Sequence, residues 1–166
     1  MYKKIQSYQP LIIFISGLLT LSGMFFTVLI TDDSELMNGI MAIFGGQIGS
    51  IGNFAEATIN FSFLNLMAFT FPAIFSLLLL VISVRNIHTS LLKLTMGFVV
   101  TTVFVLSAIL IIQLPQNTTA TFSVFSIEST GTYDGAGLGI GAIISLISSI
   151  FGGITTLVFS ILQLSK

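Results

Sequence analysis

An all-α membrane protein is the fold class this sequence predicts: a four-helix transmembrane bundle, with a small outer β element left open as an option. Three observations lead there. Charged residues make up 7% of the chain and mean hydropathy is +1.08, whereas a water-soluble domain carries roughly a quarter charged residues to cover its surface. Four runs are apolar over the ~20 residues a helix needs to cross ~30 Å of hydrocarbon. The charges between those runs also alternate in sign. Lys3, Lys4, Arg85, Lys93 and Lys166 fall on one side of the pattern, and Asp32, Asp33, Glu35, Glu56, Glu128 and Asp134 on the other. Basic segments are retained in the cytoplasm during insertion, so both termini are expected there.

Span one is expected over about residues 11–31. It is longer than a secretory signal core of about 7–15 residues, and Thr31 to Glu35 offers no small-residue cleavage site, so a retained helix is expected. Span two covers about 63–84, span three about 94–114 and span four about 137–164. An inner turn, 85–93, joins spans two and three, and outer loops cover 32–62 and 115–136. With no charge inside any span, the whole chain, 1–166, reads as one domain. Pro10 stands before span one and Pro115 after span three. Pro72 lies inside span two, where its missing N–H predicts a kink, with Thr70 or Ser76 the expected donor to the freed carbonyl.

The first outer loop is itself apolar. Met37, Ile40, Met41, Phe44, Ile48 and Ile51 follow the spacing of one helical face, although Gly39, Gly45, Gly46, Gly49 and Gly52 each weaken a helix by roughly 1 kcal/mol relative to Ala. This pattern predicts a segment lying in the outer membrane interface, or else dipping in as a re-entrant element. Residues 58–63 alternate polar with apolar, and 119–127 are rich in Thr, Phe, Val and Ile. These are weak strand signals: residues 58–63 are expected simply to begin span two, and the alternative is that the two stretches pair into a small sheet above the bundle. Leu18–Ser22 and Leu91–Thr95 begin alike, but the likeness fades too soon to be a repeat.

Few residues point to chemistry. The absence of cysteine removes disulfides and thiolate sites. His88, the one histidine, has no Cys, Asp or Glu near it in sequence and reads as a solvated turn residue. Asp32, Asp33 and Glu35 lack the ligand alternation of a calcium loop. The glycines at 135, 137, 139 and 141 have neither the βαβ setting nor the Lys-Ser/Thr that phosphate binding needs. Asn60-Phe61-Ser62 and Asn117-Thr118-Thr119 match the glycan acceptor pattern. No cofactor, metal or catalytic group is expected, and no basic surface suits nucleic acid.

The strongest pattern concerns packing. Gly137, Gly141, Ser145, Ser149 and Gly153 recur every fourth residue along span four, widened by Ser148, Gly152 and Thr156. Ser16, Thr20, Gly23 and Thr27 make a second small stripe on span one. Small residues let helix backbones approach closely in a bilayer, so the two stripes are expected to touch, or to meet another subunit. The layout, with a longer first outer loop, resembles that of claudin-like tetraspan proteins. The cysteines and tryptophan of that family's first-loop signature are missing here, so the resemblance is architectural and implies no function. The expected role is non-enzymatic: a multi-pass membrane protein, surrounded by lipid, packing with other membrane proteins or with itself as an accessory or structural subunit. An oligomeric channel or facilitator for small solutes is the alternative. A proton-coupled transporter is disfavoured, because ionisable groups inside spans usually mark such pathways and these spans have none.

Overall fold

The computed structural model describes residues 2–31, 34–51, 55–85, 90–125 and 127–164. Asp32, Asp33, His88 and Lys166 lie outside the described residues. The chain is mostly helical, and four of its helices are long and apolar enough to cross a membrane. They are α1 (Tyr2–Ser22), α3 (Phe63–Val84), α4 (Ser90–Ile112) and α6 (Ile140–Leu164). At 1.5 Å per residue each is roughly 31–38 Å long. Helix α1 packs on α3 and α6, and α4 packs on the same two, so the four close into a ring.

Between these helices come β1 (Thr27–Thr31), β2 (Ser34–Asn38), α2 (Gly39–Phe44), β3 (Gly46–Ile51), β4 (Ala55–Ile59), α5 (Leu114–Asn117), β5 (Thr119–Val124), β6 (Ile127–Thr132) and β7 (Gly137–Leu138). Chain order places every strand at the end where α1 and α4 finish and α3 and α6 begin. The strands form an antiparallel three-stranded sheet, β2-β1-β7, and an antiparallel four-stranded sheet, β3-β4-β5-β6. The β component therefore exceeds the single pair that the sequence left as an alternative: residues 58–59 end β4 instead of beginning span two, and β4 pairs with β5, with Ile59 opposite Ala120.

Three expected boundaries change. Span one stops being α-helical at Ser22; a 3₁₀ turn covers Gly23–Phe25 and β1 takes the remainder. Thr27, Val28, Ile30 and Thr31 are β-branched, which favours extended backbone, and hydropathy alone does not separate a buried strand from a helix. Span four loses its first three residues, since Gly137 belongs to β7, opposite Ile30. Helix α1 also begins earlier than expected, so Pro10 falls inside it.

The single helical face expected over 37–51 is absent. Asn38 caps α2 by accepting from the Met41 N–H at 2.9 Å, and the helix ends at Gly45, whose φ is +77°. A Cβ at Gly45 would also strike the Ile59 carbonyl oxygen, so glycine is required there on two counts. Met37 is buried in β2, Ile40, Met41 and Phe44 ride on α2, and Ile48 and Ile51 lie in β3.

One apolar core, including Val28, Leu29, Ile43, Phe69, Ile111 and Leu114, joins the strands to the helix ends beneath them. A second, of Ile13, Leu79, Val100, Phe104 and Phe159, fills the opposite half of the ring. The described acidic residues, Glu35, Glu56, Glu128 and Asp134, all lie in the strand layer, and Arg85 and Lys93 lie at the other end.

Candidate functional site

Pro72 organises the interior. It sits in α3 without an N–H, so the Ala68 carbonyl, four residues back, loses its helical donor. The expected local donors do not serve it: the Thr70 hydroxyl donates to Leu66 O at 2.7 Å and the Ser76 hydroxyl to Ala73 O at 3.1 Å. Ser107 of α4 donates to Ala68 O instead, at 2.6 Å. Ser107 Oγ lies 3.0 Å from Ser149 Oγ on α6, which lies 3.3 Å from Thr20 Oγ1 on α1. The Thr20 hydroxyl donates back to Ser16 O at 3.0 Å, and the Ser145 hydroxyl donates to Thr20 O at 2.8 Å. One chain of hydroxyls thus links all four long helices at a single level.

These groups are sealed. Thr20, Ser145 and Ser149 have no exposed surface and Ser107 almost none. Proton supply is limiting as well. The three hydroxyls of Thr20, Ser107 and Ser149 share four contacts: Ser16 O, Thr20–Ser149, Ser149–Ser107 and Ala68 O. Each hydroxyl has one proton to give. With Thr20 and Ser107 donating to carbonyls, the Ser149 proton serves one neighbour at a time, and Ser107 is the nearer.

Close backbone approach makes the chain possible. A Cβ on Gly23 would strike Ser145 Oγ and the Gly141 carbonyl oxygen, and one on Gly141 would strike the Gly23 carbonyl oxygen. The structure therefore brings together Thr20, Gly23, Gly141, Ser145 and Ser149. Gly153 instead faces Phe104 of α4. Ser16 sits with Ser148 along a shallow groove between α1 and α6, its hydroxyl returned to Ile12 O at 3.0 Å. Thr27 and Gly137 stand apart in the strand layer, where the Thr27 hydroxyl donates to Glu35 Oε2 at 2.7 Å.

Asn65, which belongs to neither small-residue stripe, ties the start of α3 to α2 and to the residue before β5. It is fully buried near the start of α3, just after the Ser62 cap. Its amide nitrogen donates to Ala42 O of α2 and to Thr118 Oγ1 beyond α5, each at 2.9 Å, while its Oδ1 has no partner. A carboxamide inside an apolar run was the available signal. Ser107 offered less, being one hydroxyl in span three whose importance depends on a proline in another helix.

The glycan acceptor patterns sit poorly for modification. Asn60 Nδ2 donates to Thr119 Oγ1 and Thr121 Oγ1 at 3.2 and 3.0 Å, and Asn117 Nδ2 is buried. In the strand layer, burial raises the Tyr133 phenol above its usual pKa of 10.0. Chemically, the hydroxyl chain can exchange hydrogen-bond partners and bind helices together. Activating a serine as a nucleophile takes an adjacent base, and the described contacts of Ser107, Ser145 and Ser149 are hydroxyls and carbonyls. Among the described residues no group of three or more His, Asp or Glu is arranged to hold a metal.

Against known proteins, the chain matches no family model, no curated protein and no solved structure.

Proposed function

We propose that this chain is a non-enzymatic, four-span integral membrane protein with both termini in the cytoplasm, acting as an accessory or structural subunit that packs with other membrane proteins. The observation that carries the reading is the closed hydroxyl chain. Thr20, Ser107, Ser145 and Ser149 are small, uncharged and bonded to one another or to backbone carbonyls of neighbouring helices, while the outward faces of α1, α3, α4 and α6 are largely apolar. Such an interior suits a rigid scaffold. In this reading the strands form its outer, acidic cap.

Crosslinking in native membranes, followed by mass spectrometry, tests the subunit reading. Recovery of defined membrane-protein neighbours is expected, and a chain that crosslinks to nothing would sink it. Tags at the two ends test the topology: both should label only after the membrane is opened.

The alternative, an oligomeric channel or facilitator, draws on the apolar groove of about 330 Å³ between α4 and α6, lined by Phe104, Val105, Ile109, Ile150, Ile154 and Leu157. A path would have to run between subunits along such a surface, because the hydroxyl chain lies across the helix ring rather than along it. Solute flux or conductance in proteoliposomes is the readout, and a silent membrane at high protein load removes this alternative.

A further inference from the structure

One acidic cleft in the strand layer has aromatic walls. It has a volume of about 460 Å³ and is lined in part by Phe25, Phe26, Thr27, Glu35, Asn38 and Ile140. These residues come from the 3₁₀ turn after α1, the β1–β2 ladder and the start of α6. Phe25 and Phe26 remain 61% and 50% exposed, although both side chains are large and apolar. Phe26 is held through its backbone: its N–H donates to Gly23 O and its carbonyl accepts from the Gly39 N–H, each at 3.2 Å. Glu35 is positioned as well. The β1–β2 register shifts on either side of Leu29, an irregularity of the kind that re-aims side chains, and Glu35 Oε2 accepts from the Thr27 hydroxyl at 2.7 Å.

That carboxylate has no cation of its own. No lysine or arginine occurs between Lys4 and Arg85 or between Lys93 and Lys166, so the strand layer contains none. Arg85 and Lys93 stand a helix length away, roughly 30 Å. The cleft does not suit a metal ion: one carboxylate falls far short of the about six oxygen ligands that calcium takes, and no group of three His, Asp or Glu is gathered among the described residues. A primary ammonium brings three N–H donors. Of the side-chain acceptors here, Asn38 Oδ1 is committed to the Met41 N–H and Glu35 Oε2 to Thr27. A quaternary ammonium brings no donor. It is recognised by negative charge and by aromatic rings, and this cleft sets a carboxylate beside two phenyl groups.

We infer that this cleft binds a quaternary ammonium group, with Glu35 as its counter-ion and Phe25 and Phe26 as its aromatic walls. The site stands whether or not the chain is a subunit of an assembly. Two sources carry such a group: a free cation such as choline, and the headgroup of phosphatidylcholine. Under the proposed topology the cleft lies where span one leaves the hydrocarbon, at the level of the outer headgroups, within reach of both. Cation–ring contacts at exposed sites are modest, so binding of the free cation is expected to be weak, on the order of millimolar.

The chain has no tryptophan, so full-length Phe25→Trp in maltoside micelles carries a single fluorescent reporter that keeps an aromatic wall. Tetramethylammonium chloride should change its emission saturably, with sodium chloride at equal ionic strength and ethylammonium chloride several-fold weaker. Adding Glu35→Gln or Phe26→Leu should weaken the response several-fold, and Glu56→Gln, on another strand, should leave it intact. Glu35 is exposed, so Glu35→Gln should retain the parent's far-UV circular dichroism. Saturation transfer from aromatic protons of the unaltered protein to the tetramethylammonium methyls reads the same contact without the reporter, and should fade in Glu35→Gln. Absence of both signals, signals indifferent to Glu35→Gln, or sodium or ethylammonium matching tetramethylammonium overturns the inference. Phosphatidylcholine added to the micelles then separates the sources. If it reproduces the emission change and removes the response to tetramethylammonium, the headgroup is the ligand; if that response stays intact, the ligand is a free cation. Phosphatidylglycerol acting as phosphatidylcholine does would also overturn the inference.

Discussion

The helix ring and the strand layer use the same small residues under opposite constraints. Between the helices, Gly23 and Gly141 leave no room for a Cβ, and Thr20, Ser107 and Ser149 have no solvent with which to replace a missing partner. In the strand layer, a Cβ on Gly49 or Gly131 meets nothing within 4 Å, and β3 and β6, which carry them, are exposed throughout. Glycine and serine thus act as fitted parts in one region and as tolerant filler in the other. Sequence composition shows no such difference, because it arises from what lies opposite each residue.

The comparison breaks most readily at its glycines. Gly141→Val sets a side chain against the Gly23 carbonyl, a backbone atom that cannot rotate away, and a loss of about 3 kcal/mol or more is expected. Gly131→Val, in open space, should stay within about 0.5 kcal/mol of the parent. Thermal unfolding in detergent followed by far-UV circular dichroism separates the two; equal losses would show that the ring is not packed this closely.

The proline exchange comes next. Ser107→Ala strips Ala68 O of its donor and should cost about 1–3 kcal/mol. Pro72→Ala restores an N–H to that carbonyl, so in its background Ser107→Ala should cost at least about 1 kcal/mol less. Additive losses in this double-mutant cycle would argue against the exchange. Asn65→Leu tests the joint between the regions. It leaves Ala42 O and Thr118 Oγ1 without their donor, again at a cost of about 1–3 kcal/mol. Amide exchange should accelerate in α2 before it does in α4 and α6.

The smallest effect concerns pH. The Tyr133 phenol, raised by burial, keeps its proton in the folded state at pH values where the unfolded chain has begun to lose it. Stability from this residue is full below about pH 10 and declines as pH rises beyond it. Tyr133→Phe should flatten that alkaline decline, and an unchanged profile would assign it to other groups.

Much of the helical frame was legible. Span two matches α3 from Phe63 to Val84, and spans three and four fall within a few residues of α4 and α6, because long uncharged runs are unambiguous. The error at span one has a definite cause: Phe26 to Thr31 is as apolar as the helix before it, and only its β-branching signals a change of backbone. The strand layer was half legible. Thr58, Ile59 and 119–124 showed their alternation, but Ser34–Asn38 and Gly46–Ile51 did not, the latter because glycines and the irregularity between Gln47 and Gly49 interrupt its period. Within the candidate site, the small stripes could be read from spacing. Ser107 and Asn65 could not, since each matters through a partner 39 or 53 residues away.

The contact between Ser107 and Ala68 bears on how the protein is made. As the ribosome delivers the chain, the third helix enters its surroundings with a bare carbonyl, and the group that completes it is translated 39 residues later. Under the proposed membrane placement, that carbonyl held alone in hydrocarbon would be penalised, so insertion would favour release of α3 and α4 together. A nascent chain stalled ahead of residue 107 should then remain beside the insertion machinery longer than one stalled after it.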